Sequence, residues 1–223
     1  MNKNQPDART RLLDAAERLF AERGFAAASL RAITAQAGVN LAAVNYYFRS
    51  KQALLEAVFA RRLEWVNRQR LELLAAAEAR ARRRAPPLED ILEAFVGPAF
   101  RLRAELGAGA ASFQRLMGRL LVEPGEDVQR MLKEQFAGVA ARFHSALEKA
   151  LPKLPPAELA ARIHFMVGAV AHTMAGSNLM RVFFSDRYDL SDAEATIRRL
   201  VTFLAAGLRA PLCGRGRPGR ARS

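Results

Sequence analysis

Few residues of this chain have the type and spacing that catalysis or metal binding requires. Its three histidines include no pair at i,i+4 spacing with the acidic residue that a helical zinc site needs. Its single cysteine, Cys213, can form neither an internal disulfide nor a cysteine-based metal site. Ser112, Ser145 and Ser177 lack the flanking glycines of a nucleophile elbow, and no glycine-rich phosphate loop is present. The sequence argues against an enzyme and predicts neither metal nor cofactor, although a triad built from distant residues stays open.

Two short helices around a tight turn are predicted at residues 30–37 and 41–47. Ser29 and Asn40 are of the type that caps helix N-termini, because their side-chain oxygens accept hydrogen bonds from backbone N–H groups of the first turn. Gly38 can adopt the positive φ that reverses the chain between the two helices. These features are typical of a helix-turn-helix, in which the first helix crosses the DNA backbone and the second enters the major groove.

The second helix of this motif has a core face and an outer face. Val44 and Phe48 are expected to point back into the core. The outer face consists of Leu41, Ala42, Asn45 and Tyr46. A helix with so few core contacts is free to enter a major groove, where an asparagine can pair with adenine N6 and N7 for about 1 to 3 kcal/mol of discrimination.

The motif at residues 29–51, with flanks at 12–25 and 50–55, closely resembles the TetR family of bacterial regulators. In that family a tyrosine-rich recognition helix is followed by Phe, a short polar link and a Lys. The resemblance implies that DNA is bound by Ser29, Arg31, Leu41, Ala42, Ala43, Asn45, Tyr46, Tyr47 and Lys51, the last two holding phosphates. Lys51 also lies at the N-terminus of a long predicted helix, where N–H groups and the helix dipole favour a phosphate. Most family members have Tyr at the position of Asn45, which puts the usual tyrosine contact in question.

Residues 39–46 are also similar to the fatty-acid-responsive, PsrA-like subgroup of that family. Residues 113–124 and 165–174 are similar to the C-terminal domain of the same subgroup. This second resemblance implies a small apolar ligand such as a fatty acid or an acyl-CoA ester.

The positive charge is concentrated at the two ends of the chain. The net charge of +13 divides into +8 over residues 1–84, +1 over residues 85–210 and +4 over residues 211–223. Charge concentrated in this way points to a polyanion as partner. Two interpretations of the run from Arg80 to Arg84 stay open: it is either a solvated helix face or a sequence-independent DNA contact.

The elements that position these residues are predicted to be helices throughout, so the fold class is all-α. Helical periodicity dominates, and no repeat occurs at periods of about 20 to 50 residues. Nine helices are expected, at 6–23, 30–37, 41–47, from 50 to a break at Pro86-Pro87, and at 88–105, 110–122, 127–151, 156–184 and 191–208. We expect a helix-turn-helix domain at 1–55, a helical ligand-binding and dimerisation domain at 56–210, and a basic, disordered tail at 211–223.

Aromatic residues and methionines gather in the predicted C-terminal domain. At helical spacing they are compatible with an ordinary core, but methionine-rich helices can also line an adaptable apolar cavity. The family resemblance favours the cavity, with Arg115, Arg119 or His172 available to meet a carboxylate or thioester head group. The predicted ligand-binding residues are Phe95, Phe113, Arg115, Met117, Arg119, Phe136, Phe143, Met166 and His172.

The last two predicted helices carry more apolar surface than a monomer is expected to need, together with small residues that permit close approach of helices. Two such helices from each of two subunits would form a four-helix interface with two-fold symmetry, although they could instead close the domain's own core. The predicted dimer residues are Phe165, Gly168, Ala169, Gly176, Ile197, Leu200, Val201 and Leu204.

The hypothesis from the sequence is a homodimeric, cytoplasmic, sequence-specific DNA-binding regulator. We expect it to act as a repressor that leaves a palindromic operator when a small apolar ligand binds, without any association with a membrane. Two alternatives stay open, namely a basic architectural protein that binds nucleic acid without specificity and a small helical enzyme that uses the apolar pocket. Neither alternative needs the motif at residues 29–51.

Overall fold

A computed structural model of the chain describes residues 7–107, 109–122, 126–176, 182–183 and 190–212. Over these residues the regular structure is helical, with no strand, as predicted. The helices of seven residues or more in this part of the chain are α1 (Ala8–Ala27), α2 (Leu30–Ala37), α3 (Leu41–Tyr47), α4 (Lys51–Ala81), α5 (Leu88–Leu106), α6 (Gly109–Val122), α7 (Glu126–Ala150), α8 (Pro156–Ala175) and α9 (Ala193–Arg209).

Two of the predicted helices have different ends in the structure. The helix predicted at 6–23 is interrupted at Gly24, as expected from its φ of +80°, but helical residues then continue to Ala27. The helix predicted at 156–184 ends at Ala175, because Gly176 has a φ of +72° and a ψ of 138°, which is not helical backbone. The predicted tail at 211–223 lies outside the described residues except for its first two positions.

The head, which we define as α1 to α3, has a continuous apolar core. Leu12, Phe20, Ile33 and Val44 are all completely buried, and they come from the three helices of the head. Arg11 strengthens this packing, since its Nε donates to a carbonyl oxygen at the C-terminal end of α2. The head is therefore a compact support for the short α3.

The body, which we define as α4 to α9, is built around the 31-residue helix α4. Helix α5 packs against α4 and α9, whereas α6 packs against α8 and also against α1 of the head. The contact between α6 and α8 is so close that a Cβ atom at Gly118 would lie 2.4 Å from the backbone nitrogen of Ala175. Helix α6 therefore links the head to the interior of the body.

Candidate functional site

Each short helix of the predicted helix-turn-helix begins at a capping side chain. Ser29 Oγ accepts from the Ala32 N–H at 3.2 Å, and Asn40 Oδ1 accepts from the Ala43 N–H at 3.0 Å. Gly38 lies between the two helices in the left-handed conformation, with a φ of +63° and a ψ of 40°. The caps and the positive φ predicted from the sequence are confirmed.

Helix α3 turns one face into the head and the other to solvent. Val44 is completely buried, whereas Tyr46 is 81% exposed and Leu41 is 44% exposed. Of the remaining predicted DNA-contacting residues, Ala43 and Lys51 are half-buried, and the exposed ones are Ser29, Arg31, Ala42, Asn45 and Tyr47. The outer face of α3 thus exposes aromatic, amide and small apolar groups to solvent.

Lys51 lies at the first residue of α4, but its ammonium group is directed towards α1. Lys51 Nζ donates to the carbonyl oxygen of Ala26 at 3.1 Å and lies 4.6 Å from the centroid of the Phe25 ring. This partial burial lowers the pKa of Lys51. A contact between Nζ and a phosphate would have to replace the bond to Ala26.

A cluster of ion pairs joins the head to α4. Glu17 of α1 is only 1% exposed and pairs with Arg61 and with Arg62, the latter at 3.1 Å between Oε2 and Nε. Arg61 also bonds Asp14 at 2.7 Å between Nη1 and Oδ1. Because Glu17 is buried and Arg61 and Arg62 are 24% and 11% exposed, their pairs couple the position of α1 to that of α4 more strongly than surface pairs do.

The arginine run 80–84 does not adjoin the outer face of α3. It begins at the C-terminal end of α4, whereas Lys51 is at the N-terminal end of the same helix, about 45 Å away at 1.5 Å per residue. Arg80 pairs there with Asp90 at 3.1 Å. This run therefore lies outside the surface that α3 presents.

The body contains an apolar cavity of about 630 Å³. Its size falls in the range of about 300 to 1,000 Å³ that is usual for small-molecule sites. Five helices contribute to its wall, from α4 to α8. Six of the nine predicted ligand-binding residues line it, namely Phe95, Phe113, Met117, Phe136, Phe143 and Met166.

Two of the three polar residues predicted to meet the ligand, Arg115 and His172, lie away from the cavity. Arg115 is exposed, and its Nη2 donates to Ser112 Oγ at 3.3 Å. His172 is exposed as well, and neither residue is among those that line the cavity. The reason is that both fall on the solvent side of their helices, α6 and α8. The Arg119 side chain lies outside the described part of the chain.

The polar side chains found on the cavity wall, among the residues described, are Arg70, Lys133 and His144. Lys133 and His144 are exposed, whereas Arg70 is buried, with 5% of its surface accessible. Arg70 Nε donates to the carbonyl oxygen of Phe95 at 2.9 Å, and its guanidinium lies 4.5 Å from the centroid of that ring. Burial lowers the pKa of Arg70 to about 10, so the side chain remains protonated at neutral pH.

Sequence reasoning missed Arg70, although the sequence contains a usable signal. Leu63, Val66, Arg70 and Leu74 follow one another at spacings of three and four, and all four are buried. Arg70 therefore occupies a core position in the apolar stripe of α4. A charged residue at a core position of an otherwise apolar stripe could have been identified as a candidate polar group of an internal site.

The predicted dimer residues divide into two sets. Phe165 of α8 is 68% exposed, Gly168 and Gly176 are exposed, and Ala169 is half-buried. The α9 residues are instead buried in the chain's own core, because their side of this amphipathic helix packs along α5; these are Ile197, Leu200, Val201 and Leu204. The outer side of α9 presents Phe203, which is 68% exposed and which the sequence analysis did not single out.

The described residues contain neither a group of side chains suited to a metal ion nor a helix suited to crossing a membrane. No three side chains of the metal-ligating types His, Cys, Asp and Glu come together there in a group that could hold a metal ion. None of the described helices combines the length and the apolar character that crossing a membrane requires.

Comparison with protein families gives two matches that together cover most of the chain. Residues 12–58 match the tetR family of bacterial regulatory proteins, and residues 93–207 match the tetracyclin repressor-like C-terminal domain. Among curated proteins, the HTH-type transcriptional repressor KstR of Rhodococcus jostii (strain RHA1) is 30% identical over 137 residues. That alignment covers 55% of this chain and 65% of KstR.

Solved structures share the fold over most of the chain. The fatty acid degradation regulator FadR from Bacillus halodurans aligns over 94% of this chain and 100% of its own, with a TM-score of 0.57 and 18% identity. FadR from Bacillus subtilis, solved in complex with stearoyl-CoA, aligns over 89% of this chain and 98% of its own, with a TM-score of 0.57 and 17% identity. With the helix-turn-helix at one end and the matched C-terminal domain at the other, this chain belongs to the TetR family of bacterial regulatory proteins.

Proposed function

We propose that this protein is a cytoplasmic, homodimeric repressor that binds a palindromic operator and leaves it when a fatty acid or acyl-CoA fills the cavity. The observation that carries the proposal is the outer face of α3. Asn40 caps this helix and Val44 anchors it, while Asn45 and Tyr46 stay exposed. Side chains held in this way on a rigid short helix can reach base edges in a major groove.

The ligand class is supported by the cavity and by two similar proteins. The wall is formed mainly by aliphatic and aromatic side chains and methionines, which suit an extended hydrocarbon body. FadR from Bacillus subtilis was solved with stearoyl-CoA, and FadR from Bacillus halodurans is described as a fatty acid degradation regulator. These ligands and roles belong to those proteins, and we extend the ligand class to this chain as part of the proposal.

Helix α6 connects the cavity to the head, so it can couple ligand binding to the position of the head. Phe113, Met117 and Leu121 of α6 line the cavity, and the same helix packs against α1 and α8. The absence of a side chain at Gly118 lets α6 lie directly against α8. A ligand that binds one position of α6 better than another would therefore shift the population of head positions, as coupling between two sites requires.

Dimerisation is supported by the exposed aromatic residues of the last two helices. Phe165 of α8 and Phe203 of α9 are each 68% exposed. Large apolar groups of this kind are commonly covered by a second subunit, and a two-fold dimer would place two copies of α3 on one palindrome. A monomer at micromolar concentration in light scattering would remove this part of the proposal.

The experiment that tests the proposal is a binding titration with the DNA that precedes the protein's own gene. The purified protein is titrated into labelled fragment in the presence of excess nonspecific DNA, with and without palmitoyl-CoA or palmitate. We expect competitor-resistant binding that is lost on addition of the lipid. Binding that disappears with nonspecific DNA would support an architectural protein instead, and specific binding indifferent to both lipids would remove the ligand class.

A substitution on α3 sharpens this test. Asn45→Ala removes an exposed amide and is expected to weaken operator binding by about 1 to 3 kcal/mol, or roughly 5- to 150-fold. Gln129→Ala, which removes an exposed amide from α7, is the matched control and should leave operator binding unchanged. Equal affinities of the two variants would contradict the role of α3.

A further inference from the structure

Arg70 brings a positive charge into the apolar wall of the cavity without a negative partner. No carboxylate forms an ion pair with it among the side chains that the structure describes. Its acceptors there are two neutral oxygens, the carbonyl of Phe95 at 2.9 Å and the side-chain amide oxygen of Asn67 at 3.4 Å. Burying a charge is costly unless it is paired, so an unpaired buried guanidinium beside a cavity indicates a site for an anion.

The donors of Arg70 are only partly used. An arginine has five N–H donors in a fixed planar fork, and the bonds in the described structure come from Nε and Nη1 alone. The Nη2 group has no partner among the described residues, and Arg70 is part of the cavity wall. A planar fork of this kind matches the geometry of a carboxylate, which it can bind through two parallel hydrogen bonds.

We propose that Arg70 binds the free carboxylate of an amphiphilic acid whose hydrocarbon body occupies the cavity. This inference rests on the proposed function, and it narrows the ligand class from fatty acids and their thioesters to the free acid. The rings of Phe95 and Phe136, 4.5 and 6.0 Å from the guanidinium, shield the ion pair from water and so strengthen it.

An acyl-CoA thioester has no free carboxylate that could bind the Arg70 guanidinium. Its acyl carbonyl is uncharged, and its phosphate groups must remain in water because the wall is almost entirely apolar. The other polar side chains described on the wall, Lys133 and His144, are exposed, and His144 Nδ1 lies 3.5 Å from Glu148 Oε2. A carboxylate at those positions would stay hydrated, which makes Arg70 the group that distinguishes an acid from a neutral analogue.

The test compares two probes with the same hydrocarbon chain. Binding of dodecanoate and of dodecan-1-ol to the full-length protein is measured by titration calorimetry at pH 7.5. We expect the acid to bind at least about tenfold more tightly than the alcohol, since hydrogen bonds to charged groups are the strong ones. Arg70→Gln should abolish this preference by weakening the acid alone, and Arg70→Lys should retain part of it.

Three further measurements make the test decisive. Arg68→Gln, at a position 54% exposed on the same helix, is the control for loss of an arginine and should keep the preference for the acid. Circular dichroism confirms that each variant is folded, and the wild-type comparison of the two probes does not depend on any variant. Lys133→Gln tests the alternative position, since loss of the acid preference in that variant and not in Arg70→Gln would overturn the assignment to Arg70.

The outcomes separate this inference from the proposed function. If the wild-type protein binds neither probe, the apolar ligand of the proposed function fails together with the inference. Equal affinities for acid and alcohol would overturn the role of Arg70 and leave an apolar ligand in place. A preference for the acid that survives Arg70→Gln would also overturn the inference.

Discussion

The head and the body use their apolar side chains in different ways. In the head, Phe20, Ile33 and Val44 are completely buried in a continuous core, and the candidate function lies on the exposed face of α3. In the body, Phe95 and Phe136 are only partly buried, and both line a cavity of about 630 Å³. The head therefore offers a rigid surface, whereas the body keeps internal space that a ligand can fill.

Replacing a phenylalanine by alanine in each region tests whether the head is packed more tightly than the cavity wall. Phe20→Ala in the head removes a completely buried ring and is expected to lower the free energy of unfolding by about 3 to 5 kcal/mol. Phe136→Ala in the cavity wall should cost less than about 2 kcal/mol, because part of that ring already faces unfilled space. Denaturation by urea measures both, and equal losses would show that the cavity wall is as tightly packed as the head.

The boundary between the two regions can be tested at Glu17. Glu17→Gln keeps the shape of the side chain but removes the charge that Arg61 and Arg62 bind, and we expect a loss of about 1 to 3 kcal/mol in the free energy of unfolding. We expect only a moderate loss in the free energy of unfolding because both arginines are partly exposed. Glu64→Gln, at an exposed position of α4, is the matched control. A loss no larger than that of the control would mean that the cluster does not hold the head on α4.

The smallest effect is expected for an exposed pair within the body. Glu89 at the start of α5 bonds Arg209 at the end of α9, and this bond lowers the pKa of Glu89 to about 2. A carboxyl group with a lowered pKa in the folded state stabilises the protein above its ordinary pKa of 4.5, and this stabilisation is lost as the pH falls towards 2. Because the pair is exposed, Glu89→Gln should cost less than about 1 kcal/mol at pH 7.

The pH dependence supplies the control for this pair. The difference in stability between wild type and Glu89→Gln should be largest near pH 7 and should shrink between pH 4.5 and pH 2. A difference that stays constant over this interval would show that the carboxylate charge contributes nothing. Such a result would assign the contact between α5 and α9 to apolar packing alone.

The two regions also differ in how far the sequence predicts them. The head depends on interactions between near neighbours, such as the caps at Ser29 and Asn40 and the positive φ of Gly38, so its helices and its outer face could be predicted. The aromatic residues of the cavity could be predicted as a group, because apolar residues at helical spacing turn inward. Their arrangement around an empty space depends on packing among five helices, which no local pattern contains.

The polar side chains that face the cavity are the part of the body that is hardest to predict from the sequence. Arg115 and His172 could each bind an acidic ligand, but α6 and α8 pack with these residues on their solvent-exposed sides. Arg70 is easily overlooked because arginines are frequent on the exposed faces of helices, although its place in the apolar stripe of α4 indicates burial. The α9 residues were assigned to a partner subunit for a similar reason, since periodicity shows that a face is apolar and does not show what covers it.

The length of α4 has a mechanical consequence. At 1.5 Å per residue its 31 residues extend about 46 Å, from Lys51 beside the head to the arginine run at the far end. A rotation of about 5° around that far end would displace Lys51 by about 4 Å, which slightly exceeds the spacing of about 3.4 Å between successive phosphates along the helix axis of one DNA strand. Leu63, Val66 and Arg70 of the same helix line the cavity, so a ligand that tilted α4 by this angle would move Lys51 by about one base pair relative to the DNA.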